Sequence, residues 1–110
     1  MKREDLKVFS NNEFGKIRVV MNNDVPMFSA IDVAKSLGYS DSDQAIRTHC
    51  KKSDSIFVLH GDGKPGGTSM KFIPESDIFR LVMSSKLPEA EKFQDWVFEE
   101  VLPSIRKTGG

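Results

Sequence analysis

The sequence is short of most features that announce a partner. Its 110 residues carry 16 lysines plus arginines against 16 aspartates plus glutamates, a formal net charge of zero. No domain-wide basic field therefore draws in nucleic acid, and any such contact must rest on a local patch. Cysteine occurs once, as Cys50. That excludes an intrachain disulfide and fits a reducing cytoplasm, the location expected here. No stretch approaches the roughly 20 apolar residues of a membrane span. The opening MKREDLKVF has charge but no apolar run behind it, unlike a secretory signal. Structural zinc takes four ligands at short spacings, and two histidines with one cysteine cannot supply them. His49, Cys50 and His60 are thus expected to hold no metal, with Cys50 a small buried hydrophobe and His49 a polar edge residue. No Ser-His-Asp order or carboxylate pair stands out, so no catalytic residue is assigned and no enzyme is expected. Internal repeats and low-complexity tracts are also missing.

The residues that are present suit one folded domain. Hydrophobic residues make up 38% and charged residues 29%, ordinary values for a soluble globular chain, and the length suffices for one core but not two. The first third reads as strands. LKVFSNN is short and partly alternating. KIRVVM puts Ile17, Val19 and Met21 on one face, the period-2 pattern of a half-buried strand. NND supplies turn residues, and VPMF returns as a hairpin partner. Pro26 cannot donate to a ladder, which predicts an edge strand or a bulge there.

The period then changes to that of helices. In SAIDVAKSLGY, Ser29 and Asp32 fit a capping box, Ala30, Val33, Ala34 and Leu37 recur at helical spacing, and Gly38 suits a C-cap. Ser40 with Asp43 predicts the start of a second short helix, with Ala45, Ile46 and Cys50 as its apolar face. IFVLH and TSMKFI are strand-like runs joined by GDGKPGG. Pro74, with Glu75 and Asp77 near the positive end of the dipole, begins a third helix with Ile78, Leu81 and Val82 toward the core. After SSKLP, a fourth starts at Pro88, with Phe93, Trp96, Val97, Phe98, Val101 and Leu102 apolar. Pro103 lacks a donor, its ring meets the Glu99 carbonyl, and it biases Leu102 away from the α region. The helix is expected to end or bend there, with SIRK as a short turn. The expected fold is α+β: a small antiparallel sheet with hairpins, a helix-turn-helix-like helical pair and two C-terminal helices.

GDGKPGG contains Gly61, Gly63 and Gly66 in the literal spacing G-x-G-x-x-G. A dinucleotide site needs a helix after those glycines, whose N-terminus holds the pyrophosphate. Here a strand-like run comes next and Pro65 stiffens the loop, so a hairpin tip is expected, with no nucleotide and no cofactor. Lys64 at such a tip can lie against a nucleic-acid backbone, as a wing does. Charge is unevenly spread. From Asp43 to Lys52 the cations Arg47, Lys51 and Lys52 meet one acid, a net +2. From Pro88 to Glu100, Lys92 meets Glu89, Glu91, Asp95, Glu99 and Glu100, a net −4. The second helix suits phosphate and the fourth does not, although two merely solvated faces would look the same.

The strings IDVAKSLGYSD, AIRTHC, FIPESDIFRLVMSSKLPEAEKFQDWV and EEVLPSIRKTGG together resemble the BRO N-terminal domain found in phage and prophage antirepressors and in baculovirus repeated-gene proteins. The resemblance covers nearly the whole chain, and the stretch from SSKLPEAEKF through EVLPSIRKTGG is its most specific part. It implies DNA binding through this domain, as the N-terminal module of an antirepressor-like transcription regulator in a bacterial host cell, and it brings no catalytic residues. In the family the tail runs on into a separate C-terminal domain. Residues 1–107 are accordingly expected to form the BRO-like domain, and 108–110 to begin a linker. A frayed natural terminus is the alternative.

The helical pair carries the candidate site. Val33, Ala34, Leu37 and Gly38 stand where the first half of a helix-turn-helix wants apolar, small, apolar and turn residues. The second half is out of register, with Gln44 and Arg47 where apolar residues are expected. A longer turn through YSDSD repairs this and sets Gln44, Arg47, Thr48 and Lys51 on one exposed face. Arginine suits guanine, glutamine adenine and lysine phosphate. The candidate DNA-binding residues are Gln44, Arg47, Thr48, Lys51, Lys52 and Lys64. Asp41 and Asp43 count against this, because they put negative charge where a phosphate would sit. From the residues alone a packed helical hairpin with a solvated polar face is the commoner arrangement; the resemblance favours the recognition face. The alternative function is a module that binds a phage repressor or other protein without touching DNA. A homodimer is left open.

Overall fold

The structure, a computed structural model, describes residues 6–59 and 65–109. Strands β1 (Lys7–Asn11), β2 (Gly15–Asn22), β3 (Val25–Ser29), β4 (Asp54–Leu59) and β5 (Gly67–Ile73) form an antiparallel sheet in the order β1-β2-β3-β5-β4. Helices α1 (Ala30–Ser36) and α2 (Ser42–His49) interrupt the strands, and α3 (Glu75–Ser84), α4 (Ala90–Trp96) and α5 (Leu102–Gly109) come after them. A π-helical turn, Val97–Val101, joins α4 to α5. The fold class is α+β.

Turn chemistry sets the hairpins. Asn23 and Asp24 hold positive φ angles of 53° and 67° between the paired residues Asn22 and Val25. This is the two-residue turn whose twist matches its strands, and asparagine and aspartate tolerate its left-handed backbone. Contrary to the edge-strand expectation, β3 lies in the middle of the sheet. It pairs with β2 from Val25 to Phe28 but with β5 only at Phe28 and Ser29. Pro26 thus precedes the β5 pairing, and its missing donor does not interrupt that ladder.

Strand alternation gives the sheet two packed faces. Ile17, Val19, Phe28 and Ile73 point at the helices and join Val33, Leu37, Ile46, Ile78, Leu81, Phe93 and Val101 in the main core. Val20 and its cross-strand partner Met27 belong, with Ile56, Val58 and Phe72, to a second cluster on the opposite face. The β1–β2 turn reaches the C-terminal helices. Phe14 stands edge-on to Phe93 at 5.4 Å and stacks on Trp96 at 6.4 Å.

The helix does not stop at Pro103. Leu102 keeps helical angles (φ −64°, ψ −45°), and its N–H donates to the Val97 carbonyl five residues back. The π turn widens the coil around Glu99, where the proline ring would otherwise meet a carbonyl, and Pro103 becomes the second residue of α5, where a donor is not needed. The helix thus does not end there, as one of the two expectations had it, but changes its hydrogen-bond register. Val101, Leu102 and Ile105 all reach the core.

Candidate nucleic-acid interface

The helical pair is held from several sides. At its start the Ser29 hydroxyl accepts the Asp32 N–H at 3.4 Å. The expected capping box is only half made, because the Asp32 carboxylate turns to Arg18 instead. At the end of α1 the Gly38 N–H donates to the Lys35 carbonyl and the Tyr39 N–H to that of Ala34. This Schellman closure needs the φ of 83° that glycine supplies. The Tyr39 hydroxyl donates to the Leu81 carbonyl and the Ser85 hydroxyl to that of Leu37, both at 2.7 Å. These bonds seat the connection on α3.

The connection runs from Leu37 to Asp41, the longer turn that the residue pattern requires. Asp41, rather than Ser40, caps α2: its carboxylate accepts the Gln44 N–H at 3.1 Å. Both residue types make good caps, and only the entry angle of the chain chooses between them. Ala45 and Ile46 face inward, and Gln44, Arg47 and Thr48 are exposed.

Lys51 and Lys52 are also exposed, but the helix does not set their positions. It ends at His49, and Cys50 is already extended (φ −89°, ψ 133°). The two lysines are held by Asp77, in the first turn of α3 and wholly buried. Its Oδ1 accepts the Lys51 N–H at 3.0 Å and its Oδ2 the Lys52 N–H at 2.8 Å. Arg80 Nη1 donates to the same Oδ1 at 2.7 Å. The buried carboxylate is thus neutralised and fully bonded. Sequence alone reads Asp77 as a helix-dipole residue and does not reveal this clasp. An acid in the first turn of a helix is normally solvent-facing, and nothing in the string marks this one as buried.

Lys64 and His60 lie outside the described residues, as does most of the glycine-rich tip. The strands leading to it pair through Leu59 and Gly67. Strand β5, not a helix, succeeds Gly66, so the literal glycine motif lacks the N-terminus that would hold a pyrophosphate. Residues of β5 approach the start of α2: Asp43 lines an open cavity of about 410 Å³ with Thr68, Ser69, Lys71 and Arg18. Cys50 is half-buried rather than fully buried. Burial first, with the nearby Asp77 charge adding and Arg80 opposing, pushes its thiol up to about 12. A thiol held protonated is a poor metal ligand and nucleophile. Among the described residues no group of three or more His, Cys, Asp or Glu is placed to hold a metal ion. On α4 and the π turn Glu91, Asp95, Glu99 and Glu100 are exposed, so the acidic pole belongs to other elements than the lysines.

Comparison with known proteins identifies a family. The model of the BRO family N-terminal domain matches residues 16–103. An uncharacterised protein of Haemophilus influenzae is 45% identical over 82 residues, covering 74% of this chain and 40% of that protein. Bro-N domain-containing proteins of Invertebrate iridescent virus 6 and of Autographa californica nuclear polyhedrosis virus are 32% and 35% identical, covering 97% and 84% of this chain. The chain spans only 30% and 33% of those two viral proteins. No solved structure matches. From residue 16 to the π turn and Pro103 beyond it, the chain belongs to the BRO family through its N-terminal domain.

Proposed function

We propose that the chain is a DNA-binding module, the N-terminal part of a phage or prophage antirepressor-like transcription regulator, and that it acts by binding rather than catalysis. The observation that supports this reading is that Gln44, Arg47 and Thr48 on α2 and Lys51 and Lys52 just after it are all exposed. Arg47, Lys51 and Lys52 supply phosphate contacts, and Gln44 and Thr48 reach toward base edges. The connection between β4 and β5 carries Lys64, which takes the role of a wing against the backbone. Asp41 is engaged in capping, which moderates the negative charge at the start of α2. The site of action is the cytoplasm of a bacterial host.

Titration of the protein against mixed-sequence duplex DNA at two salt concentrations tests this. Phosphate neutralisation makes affinity fall steeply with salt. No binding at low salt sinks the proposal. One observation favours the second reading, a module that binds a phage repressor or other protein: Phe79 and Met83, one helical turn apart on α3, are 48% and 71% exposed. Exposed aromatic and methionine side chains of this kind suit a protein interface, whose affinity would respond little to salt.

A further inference from the structure

The clasp around Asp77 adds a residue to the proposed DNA face, and its role there depends on that face binding DNA. Arg80 Nη1 and the Lys51 N–H share one oxygen of Asp77, at 2.7 and 3.0 Å. The guanidinium of α3 is thereby fixed beside the backbone of the two lysines that leave α2. A guanidinium has five donors in a planar fork, and Asp77 accepts from Nη1. The Arg80 side chain is 35% exposed. It lines an open cavity of about 460 Å³ with Glu75, Ser76, Phe79 and Phe98, so its outer edge is in reach of a ligand. Glu75 and Ser76 belong to the first turn of α3, on the same side of the cavity as Arg80.

We infer that Arg80 is a further phosphate-contacting residue, continuing the face of Arg47, Lys51 and Lys52 from α2 onto α3, and that Asp77 is the positioning residue holding Arg80, Lys51 and Lys52 in one arrangement. Asp77 sets the direction of the Arg80 guanidinium, whose pre-set fork can bond a phosphate with two parallel donors while its positive charge neutralises that phosphate. This role also accounts for why a carboxylate is buried where a helix start would ordinarily leave it in water.

The test is fluorescence anisotropy with a labelled mixed-sequence duplex at roughly 50 and 200 mM salt, on wild type, Arg80→Gln, Arg47→Gln and Lys92→Gln. Arg80→Gln keeps a donor for Asp77 while losing the charge and the fork. Its slope of log affinity against log salt is expected to shrink by about 0.9, one phosphate contact, as for Arg47→Gln, whereas Lys92→Gln at the acidic pole leaves it unchanged. Asp77→Asn, if folded by circular dichroism, is expected to lose more slope than Arg80→Gln alone and to shift the Lys51 and Lys52 amide resonances. If wild type binds and Arg47→Gln weakens binding while Arg80→Gln matches wild type, the inference about Arg80 is wrong and the DNA reading survives. If wild type does not bind, both fall. A folded Asp77→Asn with wild-type slope removes the positioning role. Should Asp77→Asn not fold, Arg80→Gln decides alone.

Discussion

Arg18 and Asp32 meet as a two-pronged pair: Nε donates to Oδ2 and Nη2 to Oδ1, each at 2.8 Å. The backbone N–H of Arg18 adds a third bond to Oδ2 at 3.0 Å. This ties β2 to the first turn of α1, ahead of the helix that carries the proposed contact face. The hydrogen bond to Asp32 is the main cause that raises the Arg18 pKa, against a smaller opposing effect of burial.

Asp32→Ala is expected to destabilise the domain by about 1–2 kcal/mol, the lower part of the range for charged hydrogen bonds, because Arg18 is 39% exposed and partly screened. Urea denaturation measures this. In a double-mutant cycle with Arg18→Ala the two losses should be strongly non-additive. Additive losses would mean that the pair is not coupled.

On the contact face, Arg47→Ala and Lys51→Ala should each weaken binding to any duplex and lower the salt slope by about 1. Gln44→Ala should leave the slope intact and change preference among sequences, since it bears no charge. Competition assays with two unrelated duplexes separate the effects. A Gln44 variant that behaves like the Arg47 variant would contradict the assigned division of roles.

Trp96 is 8% exposed and contacts both Phe14 and Phe93. Trp96→Ala should cost about 3–5 kcal/mol, a large share of the roughly 5–15 kcal/mol of a typical domain. Ile105→Ala should cost about 2–4 kcal/mol, because this side chain beyond Pro103 is buried in the core. Pro103→Ala should change stability by less than about 1 kcal/mol, since the π turn already accommodates the ring and the side chain is exposed. Thermal melts rank the three variants. A severe Pro103→Ala defect would show that the proline is needed to hold the π register.

The Cys50 thiol moves from its ordinary 9.0 to about 12 in the fold, chiefly by burial. The folded chain therefore keeps a proton that the unfolded chain releases. This stabilisation is complete below pH 9 and is lost as pH rises from about 9 to 12. Tyr39, raised mainly by burial, acts in the same direction at higher pH. Chemical denaturation from about pH 8 to 11 should show falling stability, with a shallower fall in Cys50→Ala. A steeper fall in that variant would reverse the argument. Thiol reagents should react with Cys50 far more slowly in the native than in the denatured protein.

The fold class could be read from periods and punctuation. Alternation at Ile17 and Val19, the helical spacing of Val33, Ala34 and Leu37, and the glycine after Leu37 are local signals, and each depends on residues within one turn or one strand. The exposed set Gln44, Arg47 and Thr48 comes from the same logic, because Ala45 and Ile46 leave only one face of α2 to water. The features that the string withheld depend on residues brought together by packing. The place of β3 in the sheet turns on β5 arriving at Phe28 and Ser29 from beyond the helical pair. The capping partner of Asp32 lost to Arg18 because a folded strand put a guanidinium in reach. Pro103 reads as a helix end in any local scheme, yet burial of Val101, Leu102 and Ile105 on both sides of it keeps the coil running and shifts the strain into a π register. Most consequential is Asp77. Its residue type fits an exposed first helical turn, and only the approach of the chain leaving α2 turns it into the buried acceptor for Lys51, Lys52 and Arg80. Local propensity chooses the elements over a few residues. Which charges share a surface is decided by contacts between distant segments, whose energies no short window of sequence contains.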